Sequence, residues 1–202
     1  MKHMTKKVIS VLFAICCLSV TAFSQMTEQP KPAATPKPKP KVERFSAVAS
    51  MPRSPTRTAW VDIWVNRYTS NATTQRMAGV LATGGQDALV KELEKAKTIG
   101  HAALSMRVGA FDLKLIRSRK TPTGRRIIGV SDRPIGFMEA YRGSTSMDYK
   151  LGIVVLDLKK NKKGKEVGEG ILLYASQVRI ENGKLEIEYV GMDPIKLRNV
   201  RK

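Results

Sequence analysis

The segment Ser131–Lys150, SDRPIGFMEAYRGSTSMDYK, gathers most of the side chains that could do chemistry in this chain. It holds three carboxylates (Asp132, Glu139, Asp148), two arginines (Arg133, Arg142) and two tyrosines (Tyr141, Tyr149) around a proline and two glycines. Read as a strand, GFMEAYR places Phe137, Glu139 and Tyr141 on one face, because strand side chains alternate with period two. If that aromatic face is buried, Glu139 must meet a cation or stay protonated. Arg133 or Arg142 can serve as the cation. The same arrangement makes a catalytic acid or a structural ion pair, and the ion pair is the commoner use. Asp132, just before Arg133-Pro134, reads as a turn former. Asp148 reads as the residue that closes the polar loop RGSTSMD by hydrogen bonds to backbone. A pair such as Asp132 with Glu139 could hold a divalent metal or hydrolyse a glycoside. No spacing singles out either use, so neither a catalytic residue nor a metal ligand is assigned. The expectation is a ligand-binding cleft built from Asp132, Arg133, Glu139, Tyr141, Arg142 and Asp148, on a polar loop beside a strand end.

Other chemistries are closed off by composition. MKHMTKK is a basic start, VISVLFAICCLSV an apolar run of signal-core length, and TAFSQ carries Ala22 and Ser24 where a cleavage site wants small residues. Residues 1–24 therefore read as a signal peptide cut before Gln25, with a retained membrane anchor as the alternative. Once cut, no segment remains that would cross the membrane, and the protein is expected in the periplasm or outside the cell. Both cysteines, Cys16 and Cys17, leave with the signal, as does His3. The remaining chain has no thiol for a disulfide or a nucleophile, and its lone histidine, His101, cannot build a multi-histidine metal site. No GxSxG or Walker A loop is present, and no cofactor is implied.

Charge points to the partner. The chain has 36 basic and 17 acidic residues, and without the three lysines of the signal its formal charge is about +16, which favours anionic partners. Residues 25–43 are a linker in which Pro36, Lys37, Pro38, Lys39, Pro40 and Lys41 alternate. Proline fixes φ and keeps its predecessor extended, so this stretch reads as a polyproline II rod carrying lysines. It serves either as a spacer or as a basic tether. A second cluster, Lys159, Lys160, Lys162, Lys163 and Lys165, lies in KKNKKGKEVGEG. It reads as an anion-binding loop or as a charged loop that keeps sheet edges apart. The loop has no aromatic residue on which bases could stack, which argues against sequence-specific nucleic acid and leaves an anionic envelope polymer or lipid head groups.

The elements that must position these residues form one domain over residues 44–202. FSAVAS and TAWVDIWVNRYT read as strands, the latter with Val61, Ile63 and Val65 on one face. TTQRMAGVLATGG and QDALVKELEKAK show helical spacing, with Thr73 as N-cap and Gly84-Gly85 as the break between them. After Gly100 the pattern is antiparallel β: AFDLKLIRS with Phe111, Leu113 and Leu115 inside, RIIGVS, YKLGIVVLDL as a central strand, ILLYASQVRI, a hairpin at Asn182-Gly183, KLEIEYV and PIKLRNV. The predicted fold class is α+β, mainly an antiparallel β meander of about eight or nine strands. It closes as a barrel or packs as a sandwich, with a two-helix insertion after an early strand.

DRPIGFMEA, MDY followed by a strand ending VLDL, KGKEVGEG and NGKLEIEYVGMDPIKLRNVR resemble a family of uncharacterised secreted proteins from environmental bacteria of the acidobacterial type. The resemblance runs from about Phe45 to the end of the chain. It implies an exported bacterial protein and carries no activity. The expectation is a non-enzymatic envelope-associated or secreted binding module for an anionic or polymeric ligand. The alternatives are a hydrolase using carboxylates of residues 131–150 and a structural subunit of an envelope assembly.

Overall fold

Alternation of apolar and polar residues lays down the first two strands. β1 (Glu43–Met51) and β2 (Ser54–Val65) pair antiparallel, with Phe45 opposite Ile63 and Ala47 opposite Val61. Those four side chains are buried, whereas Trp60, on the opposite face of β2, is half exposed. The computed structural model describes residues 42–51, 54–104, 109–135, 148–182, 184–189 and 193–202. β3 (Gly100–Leu104) pairs with β2, and β4 (Phe111–Leu113) with β3. β5 (Leu115–Thr121), β6 (Gly124–Ser131), β7 (Leu151–Lys160) and β8 (Glu166–Glu181) form an antiparallel meander. β10 (Ile195–Arg201) returns between β8 and β1, and β9 (Lys184–Tyr189) pairs with the far half of β8. The sheet order is β4-β3-β2-β1-β10-β8-β7-β6-β5. Its two ends, β4 and β5, are joined by the single residue Lys114, so the sheet curls into a nearly closed barrel.

The architecture is the expected α+β antiparallel meander, resolved in favour of the barrel. The strand count rises to ten partly because the stretch expected to be one strand is broken at Lys114. Leu113 accepts a backbone hydrogen bond from Ile99 (3.0 Å), while the Lys114 N–H donates to Val130 (2.9 Å). The chain changes partner at this residue and its phase slips by one. Leu113 and Ile116 are therefore buried inside, and Leu115, expected beside Leu113, turns to the other face and is only half-buried.

Two apolar cores result. One fills the barrel with Phe45, Ile63, Leu113, Ile116, Leu156, Leu172 and Leu197. The other lies outside the barrel, where Met77, Leu81, Leu89 and Leu93 of α1 (Asn71–Lys95) meet Leu151, Ile153, Leu173 and Val178 of the sheet. β7 sits between the two cores, which is why Leu151 to Leu156 is apolar on both faces.

The helical insertion is a bent pair of arms. Gly85 is non-helical (φ 68°, ψ −169°), a region that essentially only glycine occupies. Arg76 and Glu92 form an ion pair of 2.7 Å across the bend, although 16 residues of straight helix would separate them by about 24 Å. The arms therefore fold back on each other at the glycine pair, as the sequence indicated. The N-cap differs from the expectation: Ser70 caps the helix, its Oγ accepting from the Thr73 N–H (3.1 Å). Asn71 and Ala72 continue the helical spacing, so the cap lies three residues earlier.

Candidate functional site

Strand register sorts the outer face of β5–β8 into four cross-strand rows. The first is Leu115, Val130, Ile153 and Leu173, and the second Arg117, Ile128, Val155 and Ile171. The third is Arg119, Arg126, Asp157 and Glu169. The fourth is Thr121, Gly124, Lys159 and Val167, extended by Arg201 of β10. Successive rows are about 7 Å apart. The first two rows are apolar apart from Arg117 and pack against α1. The third row balances two arginines against Asp157 and Glu169, and the fourth carries the cations Lys159 and Arg201. They floor an open depression of about 760 Å³, lined in part by Arg126, Lys159 and Arg201 and by the carboxylates Asp157 and Glu169.

The lysine cluster borders this face. Lys159 and Lys160 end β7, so the loop proper is shorter than expected, Asn161 to Lys165, and carries Lys162, Lys163 and Lys165. Asn161 Oδ1 accepts from the backbone N–H groups of Lys163 (2.9 Å) and Lys165 (3.0 Å), and Gly164 supplies the positive φ (71°) the turn needs. All five lysines are exposed. None pairs with a described carboxylate, and the same holds for Arg119, Lys120 and Arg201. Arg126 differs: it holds Asp157 through two hydrogen bonds (2.6 and 2.9 Å), which raise its pKa further.

A compact charged cluster closes the adjacent barrel mouth. Arg125 donates to both oxygens of Glu166 (2.6 Å each), to Glu43 Oε2 (3.0 Å) and to the Tyr68 hydroxyl (3.0 Å). Tyr68 in turn donates to Glu43. Lys202 Nζ reaches Glu43 Oε1 (2.6 Å) and Glu166 Oε2 (3.3 Å). The Arg125 guanidinium also lies over the Phe45 ring (5.8 Å). Burial works to raise the Glu43 carboxyl, but hydrogen bonds from Lys202 and Tyr68 and the Arg125 charge outweigh it and hold it below the ordinary range. The Arg125 hydrogen bonds lower Glu166 against its burial. Burial and the Glu43 carboxylate push Tyr68 up. Both carboxylates are thus ionised and saturated by donors, so the cluster has no free base and no proton poised for transfer. Its chemistry is that of a seal over the barrel core.

The residues singled out by sequence divide between different settings. Asp132 lies 3.8 Å from Lys114 Nζ, and its buried Oδ1 has no hydrogen-bond partner among the described residues. Lys114 also takes Thr98 Oγ1 (3.1 Å) and lies 3.7 Å from Asp112. Arg133 is exposed, its backbone N–H donating to Ser131 Oγ (3.4 Å). Asp148 is exposed at the bend of α1, where its carbonyl accepts from Gln86 Nε2 (2.6 Å). Glu139, Tyr141 and Arg142 lie outside the described residues. His101 stacks at a tilt on Trp64, with ring centres 5.2 Å apart. Among the described residues no group of three or more His, Cys, Asp or Glu is arranged to hold a metal. No described helix is long and apolar enough to cross a membrane.

Sequence reasoning missed the seal and the arginine row. Glu43 and Lys202 are 159 residues apart, and only closure of the barrel brings them together. A weak signal existed in strand parity: Glu43 is in phase with Phe45, Ala47 and Ala49, and Arg125 with Ile127, so each marks where an inward face meets water. Searches against protein-family models, curated proteins and solved structures found no match for this chain.

Proposed function

We propose that this chain is an exported, non-enzymatic binding module for an anionic ligand, an envelope polymer or lipid head groups. The reading rests on one observation: the exposed cations beside and beyond the open depression, Arg119, Lys120, Lys159, Lys160, Lys162, Lys163, Lys165 and Arg201, meet no described carboxylate. Unpaired cations held by a rigid sheet and an ordered turn create a local positive field that concentrates anions. The lysines of the Pro36–Lys41 segment would add to the same charge. The signal-like start and the resemblance to secreted bacterial proteins support export.

Retention on heparin and on lipopolysaccharide resins, eluted with a salt gradient, tests the reading. Retention at low ionic strength that falls steeply with salt supports it. Absence of retention at low salt rejects it. The hydrolase alternative draws on Asp132, whose buried Oδ1 has no partner among the described residues. Activity toward glycan or ester substrates that disappears in Asp132→Asn would favour that alternative.

A further inference from the structure

We infer that the groove between α1 and the outer face of the sheet takes the acyl chain of an anionic amphiphile, whose head group rests on the cations of β5 and its neighbours beyond it. This rests on the anion-binding reading above and names the ligand class.

The groove holds about 420 Å³, within the roughly 300–1,000 Å³ typical of small-molecule sites. Its described lining is apolar except for Thr74 and Arg117. Such walls leave glycan hydroxyls or a peptide backbone unsatisfied, whereas a hydrocarbon chain loses nothing there. At the mouth, Ile180, Leu185 and Ile187 on the β8–β9 hairpin stay 37%, 59% and 39% exposed.

The groove is also held open. At the start of α1, Thr69 and Ile116 exchange backbone and side-chain hydrogen bonds, and Arg117 donates to the Thr69 carbonyl (2.7 Å) and Asn71 Oδ1 (2.8 Å). At the bend, Gln86 accepts from the Val178 N–H (2.8 Å). Polar anchors at both ends fix the helix over the sheet and leave the apolar span between them.

Charge sets the orientation. Arg117 lines the groove, and its hydrogen-bond partners are neutral oxygens. Arg119 follows two residues on, on the same face of β5, and Lys159 and Arg201 lie in the next row. Along β5 the apolar floor thus gives way to cations within one row, about 7 Å along the strand, while that row carries Asp157, held by Arg126, and Glu169 on β7 and β8. A molecule matched to that step has a hydrocarbon tail and a phosphate or carboxylate head. A second copy of this strongly basic chain would bring like charges to the same place.

Titration calorimetry with dodecyl phosphate, butyl phosphate and dodecyl maltoside, all below micelle-forming concentrations, tests the inference. Heparin retention runs alongside as a polyanion without a chain. The expected result is dodecyl phosphate binding at least about tenfold more tightly than either comparison ligand. Ala78→Trp, at an exposed helix position lining the groove, should remove the advantage of the chain while thermal melting and heparin retention stay unchanged. Leu185→Asp at the mouth should act in the same direction. Arg119→Gln, which touches none of the anchors of α1, should weaken the preference for phosphate over maltoside and keep the benefit of the long chain. Equal binding of dodecyl and butyl phosphate, as expected if another part of the chain or a second copy fills the groove, overturns the inference. So does wild-type binding of dodecyl phosphate by Ala78→Trp. In both cases heparin retention leaves the anion-binding reading standing. Loss of heparin retention together with equal binding of dodecyl phosphate and dodecyl maltoside overturns both.

Discussion

Arg125 meets four oxygens from three residues that lie far apart in the chain. Its side chain is one-fifth exposed, so replacement by methionine leaves Glu43 and Glu166 sharing only Lys202. We expect a loss of about 2–4 kcal/mol in urea denaturation. The pH dependence has a definite sign. Glu43 and Glu166 both titrate below the ordinary range when folded. Their contribution is therefore complete above the unfolded carboxyl value, about 4.3, and disappears as pH falls through the folded values. The wild-type melting temperature should drop more steeply below that pH than that of Glu43→Gln/Glu166→Gln. Lys202 is raised by its hydrogen bond to Glu43, so its contribution holds at neutral pH and is lost as pH rises through its folded value. Gly168 is constrained by space: a Cβ there would fall on the Asp157 carbonyl oxygen. Gly168→Ala should therefore cost roughly 2–3 kcal/mol, measured by thermal or urea unfolding. At this scale the sequence shows the charges and the glycines, but not which carboxylate each cation will meet.

α1 provides a paired test of its bend. Gly85 has open space around it but a backbone conformation that L side chains avoid. Gly85→Ala should destabilise by roughly 1–3 kcal/mol from backbone strain alone. Gly79 lies within the first arm with nothing near its missing Cβ. Gly79→Ala should stabilise by roughly 0.5–1 kcal/mol. The two substitutions are chemically identical, so opposite shifts in melting temperature would isolate conformation as the cause. Much of this element is readable without the structure, since helical spacing is local and a Gly-Gly pair is a strong break. The Asn182 hairpin is similarly local, and its positive φ (50°) agrees with the expected turn. The strand through Lys114 is not readable in this way. Its alternation is interrupted because β3 claims one half and β6 the other, and no neighbouring residue announces the exchange.

For the molecule as a whole, charge and sheet closure act together. Reversing two turn lysines, Lys162→Glu/Lys163→Glu, removes no side-chain hydrogen bond among the described residues and should leave the melting temperature unchanged. It should weaken heparin binding and flatten its dependence on salt, because fewer counterions are released. The two helical arms, most of the strands and the basic balance follow from the sequence alone, because periodicity and composition are properties of neighbouring residues. Tertiary structure alone decided that β10 returns to β1, that Arg125 seals the mouth with Glu43 and Glu166, and that apolar rows lead into arginines on one outer face. Those features depend on register between strands distant in the chain. Register is set by the simultaneous burial of two cores rather than by any single segment.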